Sequence, residues 1–150
     1  QAQGKVRFLG NSIGANTNAN QVDASTTVGV DVIQVVYNRL QREPEAEVFP
    51  SCQRQKLGVL ARVPLASGFL SGKYKPGHTF PADDVREVWK KTDRDARLSE
   101  VEKIAATEVP VGLPMAQWAL AWCLRHPAVT AVIPGCKDAA QVHANAAAAR

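Results

Sequence analysis

Short apolar runs alternate with amphipathic segments along most of the chain. Runs rich in β-branched and aliphatic residues predict four β-strands, at residues 6–9, 30–37, 59–61 and 129–133. Helical periodicity and capping residues predict helices over residues 20–27, 44–55, 99–107 and 115–125, and a last helix that starts near Asp138. Strands that alternate with helices in this way predict a parallel sheet with right-handed crossovers.

Two architectures fit this pattern equally well: an open, doubly wound sheet and one half of a (β/α)8 barrel. Both collect ligands at the carboxyl ends of their strands, and the unusual residues Ser12, Gln34, Arg62 and Gly135 all follow or end a predicted strand. No G-x-G-x-x-G follows the first strand, and no G-x-x-x-x-G-K-[ST] occurs. These absences argue against a dinucleotide-binding Rossmann fold and a P-loop enzyme.

The second predicted strand, VDVIQVVY at residues 30–37, is almost continuously apolar, which is typical of a strand buried on both faces. Gln34 interrupts it. A buried amide has to be hydrogen-bonded, either by the protein or by a ligand at the end of the strand, and we favour a partner within the protein. Trp118 and Trp122, one helical turn apart, are interpreted as core residues.

Two loops have the composition of a phosphate-binding site. The first follows the third strand and contains Gly68, Gly72 and Lys73, so that its backbone can approach an anion closely. The second, residues 134–137, places a glycine turn directly before a helix, where free N–H groups and the helix dipole favour an anion. The irregular segment between them, residues 74–86, is of the kind that often covers a site.

Composition sets the class of protein. Of the 150 residues 45% are apolar and 21% are charged, as in one ordinary globular domain, and the net charge of +4 is too mild and dispersed to indicate nucleic-acid binding. The cysteines are odd in number and widely spaced (Cys52, Cys123 and Cys136). This argues against a disulfide framework or a zinc site and for a reducing, cytoplasmic location. No apolar run long enough for a membrane span and no signal peptide is recognised. Both ends look cut from a longer chain: residues 1–4 read as a polar helix end followed by glycine and do not start with Met, and residues 146–150 are helix-forming without a C-cap.

Five motifs, in order, resemble the aldo-keto reductase family over essentially the whole chain. They are GKVRFLGNS at residues 4–12, VIQVVYN at 32–38, ARVPLASGFLSGKY at 61–74, AQWALAW at 116–122, and VIPGCK with Gln141 and Asn145 at 132–145. The resemblance implies the C-terminal half, strands 5–8, of a (β/α)8 TIM barrel that binds NADP(H) across the carboxyl ends of its strands. It also implies an oxidoreductase that reduces a small-molecule aldehyde or ketone to an alcohol.

The same resemblance implies roles for individual residues. Ser12 and Gln34 match the pair that binds the nicotinamide carboxamide, and Arg62 stands where family members often stack an aromatic ring on the nicotinamide. The pyrophosphate loop is matched by Pro64, Leu65, Ala66 and Ser67, and a phosphate-facing basic residue by Lys73. The segment that holds the adenosine 2′-phosphate and the adenine is matched by Gly135, Lys137, Gln141 and Asn145. The lysines favour NADPH over NADH, although family members often have an arginine at the position of Gln141.

The family's catalytic Asp, Tyr, Lys and His lie on the other half of the barrel, and this chain lacks those segments. Its own tyrosines and histidines have no orienting Lys or Asp in a matching motif, so no catalytic residue is assigned to it (Tyr37, Tyr74, His78, His126 and His143). We therefore expect the isolated chain to be inactive. The alternatives are a non-catalytic NADP(H)-binding regulatory subunit and a half-barrel that pairs with an N-terminal half or with its own copy. Neither nucleic acid nor membrane is expected as a partner.

Overall fold

The computed structural model describes residues 1–14 and 17–149. The sequence also predicts a loop over residues 10–20. Ala15 and Asn16 of that loop, together with Arg150, lie outside the described residues. The strands are β1 (Gly10–Ser12), β2 (Val32–Val36), β3 (Gly58–Arg62) and β4 (Ala131–Ile133). The helices are α1 (Ala19–Asp23), α2 (Val48–Gln55), α3 (Lys91–Thr107), α4 (Met115–Leu124) and α5 (Ala139–Ala146).

The predicted parallel sheet is confirmed. Its order is β1-β2-β3-β4, and every neighbouring pair is parallel. A doubly wound sheet reverses its strand order at a switch point, whereas a barrel adds strands in chain order. The four strands therefore fit part of a barrel.

The chain divides into two compact units. The sheet unit comprises Gln1–Pro64 and Trp122–Gly135, and the helical unit comprises Leu65–Ala121 and Cys136–Arg150. The first division follows the end of β3, and another falls within α4.

The core of the sheet unit lies on one face of the sheet. Ile33 and Val35 of β2 and Val59 and Ala61 of β3 are fully buried, and they cluster with apolar residues of α1 and α2 such as Val22 and Phe49. Burial of each such aliphatic side chain contributes about 1.5–3 kcal/mol. This face anchors the strands whose carboxyl ends carry the candidate site.

The opposite face of the sheet is only partly buried, which corrects the expectation that β2 is buried on both sides. Burial alternates along β2 and along β3, with Val32, Gln34 and Val36 on the open side. A continuous run of β-branched residues fits one-sided and two-sided burial alike, because the outcome depends on what covers the second face.

Four elements also differ clearly from the predictions. Helix α1, predicted over residues 20–27, ends at Asp23. Residues 6–9 are not a strand: Phe8 is 66% exposed, and the ladder starts one residue after Leu9. Helix α3 begins at Lys91 instead of Ser99, because Arg94 and Leu98 extend its buried stripe toward the N-terminus. The predicted helix at 44–55 is a 3-10 turn at Glu43–Glu45 followed by α2, whose N-cap is Glu47.

Candidate functional site

Ser12 ends β1, whereas Gln34 lies beside it in the middle of β2, two residues before that strand ends. They are register partners in the β1–β2 ladder, and the Gln34 amide Nε2 donates a hydrogen bond to Ser12 Oγ at 3.2 Å. Ser12 is exposed and Gln34 half-buried, so Gln34 is not the buried amide that the pattern predicted. The partner within the protein that we favoured is nevertheless present. The pair presents an amide and a hydroxyl to the carboxyl-terminal edge of the sheet.

Arg62 is the last residue of β3. It lies two residues beyond Leu60, the register partner of Gln34, and therefore on the same face of the sheet as Gln34. Its backbone carbonyl accepts a hydrogen bond from Tyr37 N at 3.2 Å. Its side-chain Nε is buried and, among the described residues, has no hydrogen-bond partner. A buried donor without an acceptor costs about 1–3 kcal/mol, so this nitrogen is the most unusual polar atom of the sheet unit.

The chain leaves β3 through a strained turn that Asn38 supports. Val63 has φ of 55°, an uncommon conformation for a β-branched residue. Asn38 is fully buried, and its Nδ2 donates to the Val63 carbonyl oxygen at 3.0 Å. Asn38 also accepts from Leu40 N at 3.0 Å. Sequence reasoning quoted Asn38 within a motif but gave it no role; an asparagine directly after an apolar strand was the available signal.

The loop that follows, in the helical unit, is wound in the left-handed region. Ala66 and Ser67 have φ of 49° and 56°, and Gly68 and Gly72 have φ of 88° and 77°. The Leu65 carbonyl oxygen accepts from Gly68 N at 2.9 Å and from Leu70 N at 3.1 Å. The glycines adopt the positive φ that sequence reasoning allowed for them, whereas the left-handed Ala66 and Ser67 were not foreseen.

Asp84 and Arg86 are two charged residues of the helical unit that sequence reasoning did not select. Arg86 Nε and Nη2 donate to the two carboxylate oxygens of Asp84 at 2.7 and 2.6 Å. These hydrogen bonds, together with the Arg86 backbone N–H, lower the pKa of Asp84 to about 2. Lys137 lowers the same pKa further through its charge. Sequence reasoning indicated only the irregular segment at 74–86, because nothing in its sequence shows that its single arginine pairs with Asp84.

The start of α5 is already capped by the protein. Asp138 Oδ1 accepts from Gln141 N at 2.8 Å, and Gln141 Oε1 accepts from Lys137 N at 3.0 Å. Asn145 Nδ2 donates to Cys136 Sγ at 3.2 Å. The expectation of free N–H groups at this helix start is therefore wrong for Lys137 and Gln141. The exposed Lys137 ammonium remains as an anion-binding group.

Gly135, in the sheet unit, is exposed and has no atom within 4 Å of the position where a Cβ would stand. Lys73, in the helical unit, is exposed, and its backbone N–H donates to Ser71 Oγ at 3.3 Å. Neither residue is constrained by packing within its unit. Both are accessible to a ligand.

Of the tyrosine and histidine of the sheet unit that sequence reasoning examined, Tyr37 is buried and His126 is half-buried. The Tyr37 hydroxyl donates to Glu45 Oε1 at 2.7 Å, and burial raises the pKa of Tyr37 above its usual range. The His126 ring lies 4.7 Å from that of Phe49, and burial lowers the pKa of His126. Across residues 1–14 and 17–149, no group of three or more His, Cys, Asp or Glu side chains is arranged to hold a metal ion.

None of the described helices combines the length and the apolar character needed to cross a membrane.

Comparisons with known proteins agree with one another. A probable voltage-gated potassium channel subunit beta from Oryza sativa subsp. japonica is 32% identical over 133 residues, which are 85% of this chain and 40% of that protein. The NADP(+)-labelled aldo-keto reductase yakc of Schizosaccharomyces pombe is 30% identical over 141 residues, 89% of this chain and 41% of that protein. The chain thus spans about two fifths of the length of these curated relatives.

A solved structure, the aldo-keto reductase AKR11C1 from Bacillus halodurans in its holo form, is 26% identical. It matches with a TM-score of 0.72 over 98% of this chain and 46% of its own length. The profile of the Aldo/keto reductase family matches residues 1–150. The chain belongs to the Aldo/keto reductase family.

Proposed function

We propose that this chain is the C-terminal half, strands 5–8, of an NADP(H)-dependent oxidoreductase that reduces aldehydes or ketones to alcohols. The observation that carries the proposal is the Ser12–Gln34 pair, which joins two adjacent parallel strands at 3.2 Å beside the carboxyl end of β1. An open α/β sheet or barrel binds its ligand at this edge. The family membership and the partial-barrel strand order support the same conclusion.

The residues of the sheet unit fit a nicotinamide. A carboxamide has one acceptor oxygen and two donor hydrogens, and Gln34 and Ser12 offer both kinds of group. Arg62 Nε lies on the same face of the sheet as Gln34 and is a hydrogen-bond donor that has no acceptor among the described residues. A planar guanidinium can also stack on a ring, which is the role proposed for Arg62.

The remaining binding residues fit the phosphates and the adenosine. We assign Pro64, Leu65, Ala66 and Ser67 to the pyrophosphate, since glycine-rich left-handed turns form anion-binding concavities. Lys73 supplies charge to the phosphates, and Gly135, Lys137, Gln141 and Asn145 are assigned to the 2′-phosphate and the adenine. The preference for NADP(H) rests on Lys73 and Lys137, because a lysine ammonium binds phosphate as a point charge.

The cofactor supplies the hydride for the reduction. This chain's own residues bind and orient that cofactor; the proton donor belongs to the half of the barrel that the chain does not contain. The substrate is a small-molecule carbonyl compound. None of the three cysteines forms a disulfide in the described structure, and Cys52 and Cys123 are buried, which supports a reducing, cytoplasmic location as part of the proposal.

The test is a titration of NADPH with the chain, followed by its fluorescence, and an assay with NADPH and a nitrobenzaldehyde. We expect binding by the isolated chain without turnover, and turnover once the N-terminal half of a family member is co-expressed. Turnover by the isolated chain would show that the missing half is not needed. An unchanged NADPH fluorescence, with the helical content of the chain intact, would overturn the cofactor assignment.

Ser12→Ala provides the matched variant. It removes one hydroxyl from an exposed position and so leaves the core unchanged, while one hydrogen bond to the carboxamide is lost. A lost hydrogen bond of about 1 kcal/mol corresponds to a roughly fivefold rise in Kd for NADPH. An equal affinity in wild type and Ser12→Ala would argue against Ser12 as a ligand-binding residue.

A regulatory role is the second candidate. Relatives from rice and from Arabidopsis thaliana, 32% and 31% identical, are named probable voltage-gated potassium channel subunit beta. In this role the chain would be a non-catalytic regulatory subunit that binds NADP(H). NADPH binding without turnover, even with a co-expressed N-terminal half, would favour this candidate.

A further inference from the structure

The guanidinium of Arg86 lies against the left-handed loop at residues 66–72. A Cβ built on Gly68 would meet Arg86 Nη1 at 3.2 Å, and the same nitrogen is 3.5 Å from the Ser67 carbonyl oxygen. The 3.5 Å contact is long for a hydrogen bond, so packing on Gly68 contributes at least as much as the polar contact. Arg86 thus touches the loop at the strained Ser67 and at the adjacent Gly68.

The position of Arg86 is itself set from several directions. Its guanidinium lies 4.5 Å from the centre of the Tyr74 ring and 4.3 Å from that of Phe80. Asp84 binds it through both carboxylate oxygens, and only 14% of the Arg86 side chain is exposed. Rigid, bidentate and stacked contacts of this kind are ones that lysine cannot reproduce.

Helix α3 holds the backbone of the same segment. Arg94, only 7% exposed, donates from Nη1 to the carbonyl oxygens of Arg86 at 3.3 Å and Trp89 at 2.7 Å. Its Nη1 also lies 3.0 Å from Glu87 Oε2. The segment that carries Arg86 is therefore fixed to the long helix of the unit.

The loop needs such support. A left-handed conformation costs a non-glycine residue about 1–2 kcal/mol, and Ala66 and Ser67 both adopt it. Strain of this size persists only where the surroundings determine the conformation. Without it, a ligand that needs the loop in this shape would have to order Ala66 and Ser67 when it binds, with a loss of affinity.

We propose that Arg86 is a positioning residue: it holds the loop at Ala66, Ser67 and Gly68 in the shape that receives the cofactor pyrophosphate, while its charge is neutralised by Asp84. This inference rests on the proposed cofactor function of the loop. It assigns no direct contact between Arg86 and the cofactor.

The test compares the affinities of Arg86→Met and of the wild-type chain for two ligands. NADPH carries a pyrophosphate, whereas adenosine 2′-monophosphate carries only the adenine and the 2′-phosphate. We expect Arg86→Met to raise the Kd for NADPH at least tenfold and to leave the Kd for the monophosphate within twofold. An unchanged Kd for NADPH, or an equal loss for both ligands, would overturn the inference.

Two further variants separate positioning from direct charge. Asp84→Asn keeps the Arg86 charge but loses the bidentate ion pair, so positioning predicts a higher ratio of the NADPH Kd to the monophosphate Kd. Direct binding of phosphate by Arg86 predicts a lower ratio, because the competing carboxylate is gone. Arg86→Lys restores the charge without the stack, and we expect it to resemble Arg86→Met; full rescue by lysine would contradict positioning.

Hydrogen exchange followed by mass spectrometry gives a measurement that needs no ligand. Arg86→Met should speed exchange in peptides that cover residues 66–72. The matched control is Arg42→Met in the sheet unit. Like Arg86, Arg42 binds a carboxylate, that of Glu45, through two nitrogens, and it lies over an aromatic ring, that of Trp122. It should leave that exchange unchanged. Failure of wild-type NADPH binding would overturn the proposed function, whereas unchanged loop exchange in Arg86→Met would overturn the role of Arg86 itself.

Discussion

At the scale of single residues, His126 shows how an aromatic cluster constrains an ionisable group. Its ring lies 4.7 Å from that of Phe49 and 5.8 Å from that of Tyr37, and its Nδ1 accepts from Ala128 N at 3.2 Å. Burial is the main cause of its lowered pKa; the charge of Arg42 lowers it further, and the charge of Glu45 opposes the change. The folded chain therefore favours the neutral imidazole.

This environment predicts a pH-dependent stability. The unfolded chain protonates His126 near its ordinary pKa of about 6.5, and the folded chain does so only at lower pH. Between those two values the unfolded state holds more protons, so the free energy of unfolding falls as the pH drops below about 6.5. His126→Gln should flatten this part of a stability profile measured by urea denaturation. An equally steep profile in His126→Gln, and in a second variant His126→Asn, would show that another group controls it.

At the scale of an element, the loop at residues 66–72 combines a local preference with a distant contact. Gly68 has φ of +88°, which glycine adopts without steric penalty, but the space beside it is filled by Arg86 from 18 positions further along the chain. Gly77 has a similar φ of +83°, and no atom lies within 4 Å of its would-be Cβ. A comparison of substitutions at these two glycines therefore separates the cost of backbone strain from the cost of a clash with Arg86.

Alanine at these glycines should therefore have unequal effects. Gly77→Ala adds only backbone strain, about 1 kcal/mol, to the folded state. Gly68→Ala adds the same strain and a 3.2 Å contact with Arg86, so we expect about 2 kcal/mol or more. Urea denaturation of both variants measures the difference. Equal destabilisation would show that the Arg86 side chain moves aside at little cost and does not hold the loop firmly.

At the scale of the whole molecule, the sheet has two outer strands, β1 and β4. Among the described residues no further strand pairs with either of them. Exposed strand edges favour association with another chain, and the open side of β2 and β3 adds a partly exposed face. The chain covers about two fifths of the length of its curated relatives, which supports pairing with an N-terminal half as part of the proposed function.

The mass of the chain in solution tests this pairing. We expect the isolated chain to form a dimer of its own copies, and the co-expressed N-terminal half to replace one copy in a one-to-one complex. Light scattering after size exclusion distinguishes a monomer, a homodimer and such a complex by mass. A stable monomer that forms no complex with the co-expressed N-terminal half would contradict pairing.

Short-range patterns in the sequence determined many of the strands and turns of this protein. The β-branched runs led to β2 and β3 within two residues of their observed ends, and Gly68 and Gly72 adopt left-handed conformations that glycine favours. Gln34 was noticed because it interrupts a strand of apolar residues. These features depend on steric and hydrophobic preferences of neighbouring residues, which a sequence displays directly.

Only the tertiary structure decided which residues meet. Ser12 and Gln34 are 22 positions apart, and they join because the β1–β2 register sets them side by side. Arg86 reaches Gly68, Arg62 Nε is left without an acceptor, and one side of β2 stays open, although no local pattern indicated any of these. The physical reason is that register, burial and side-chain partners depend on contacts between distant segments, and those contacts form only when the chain packs.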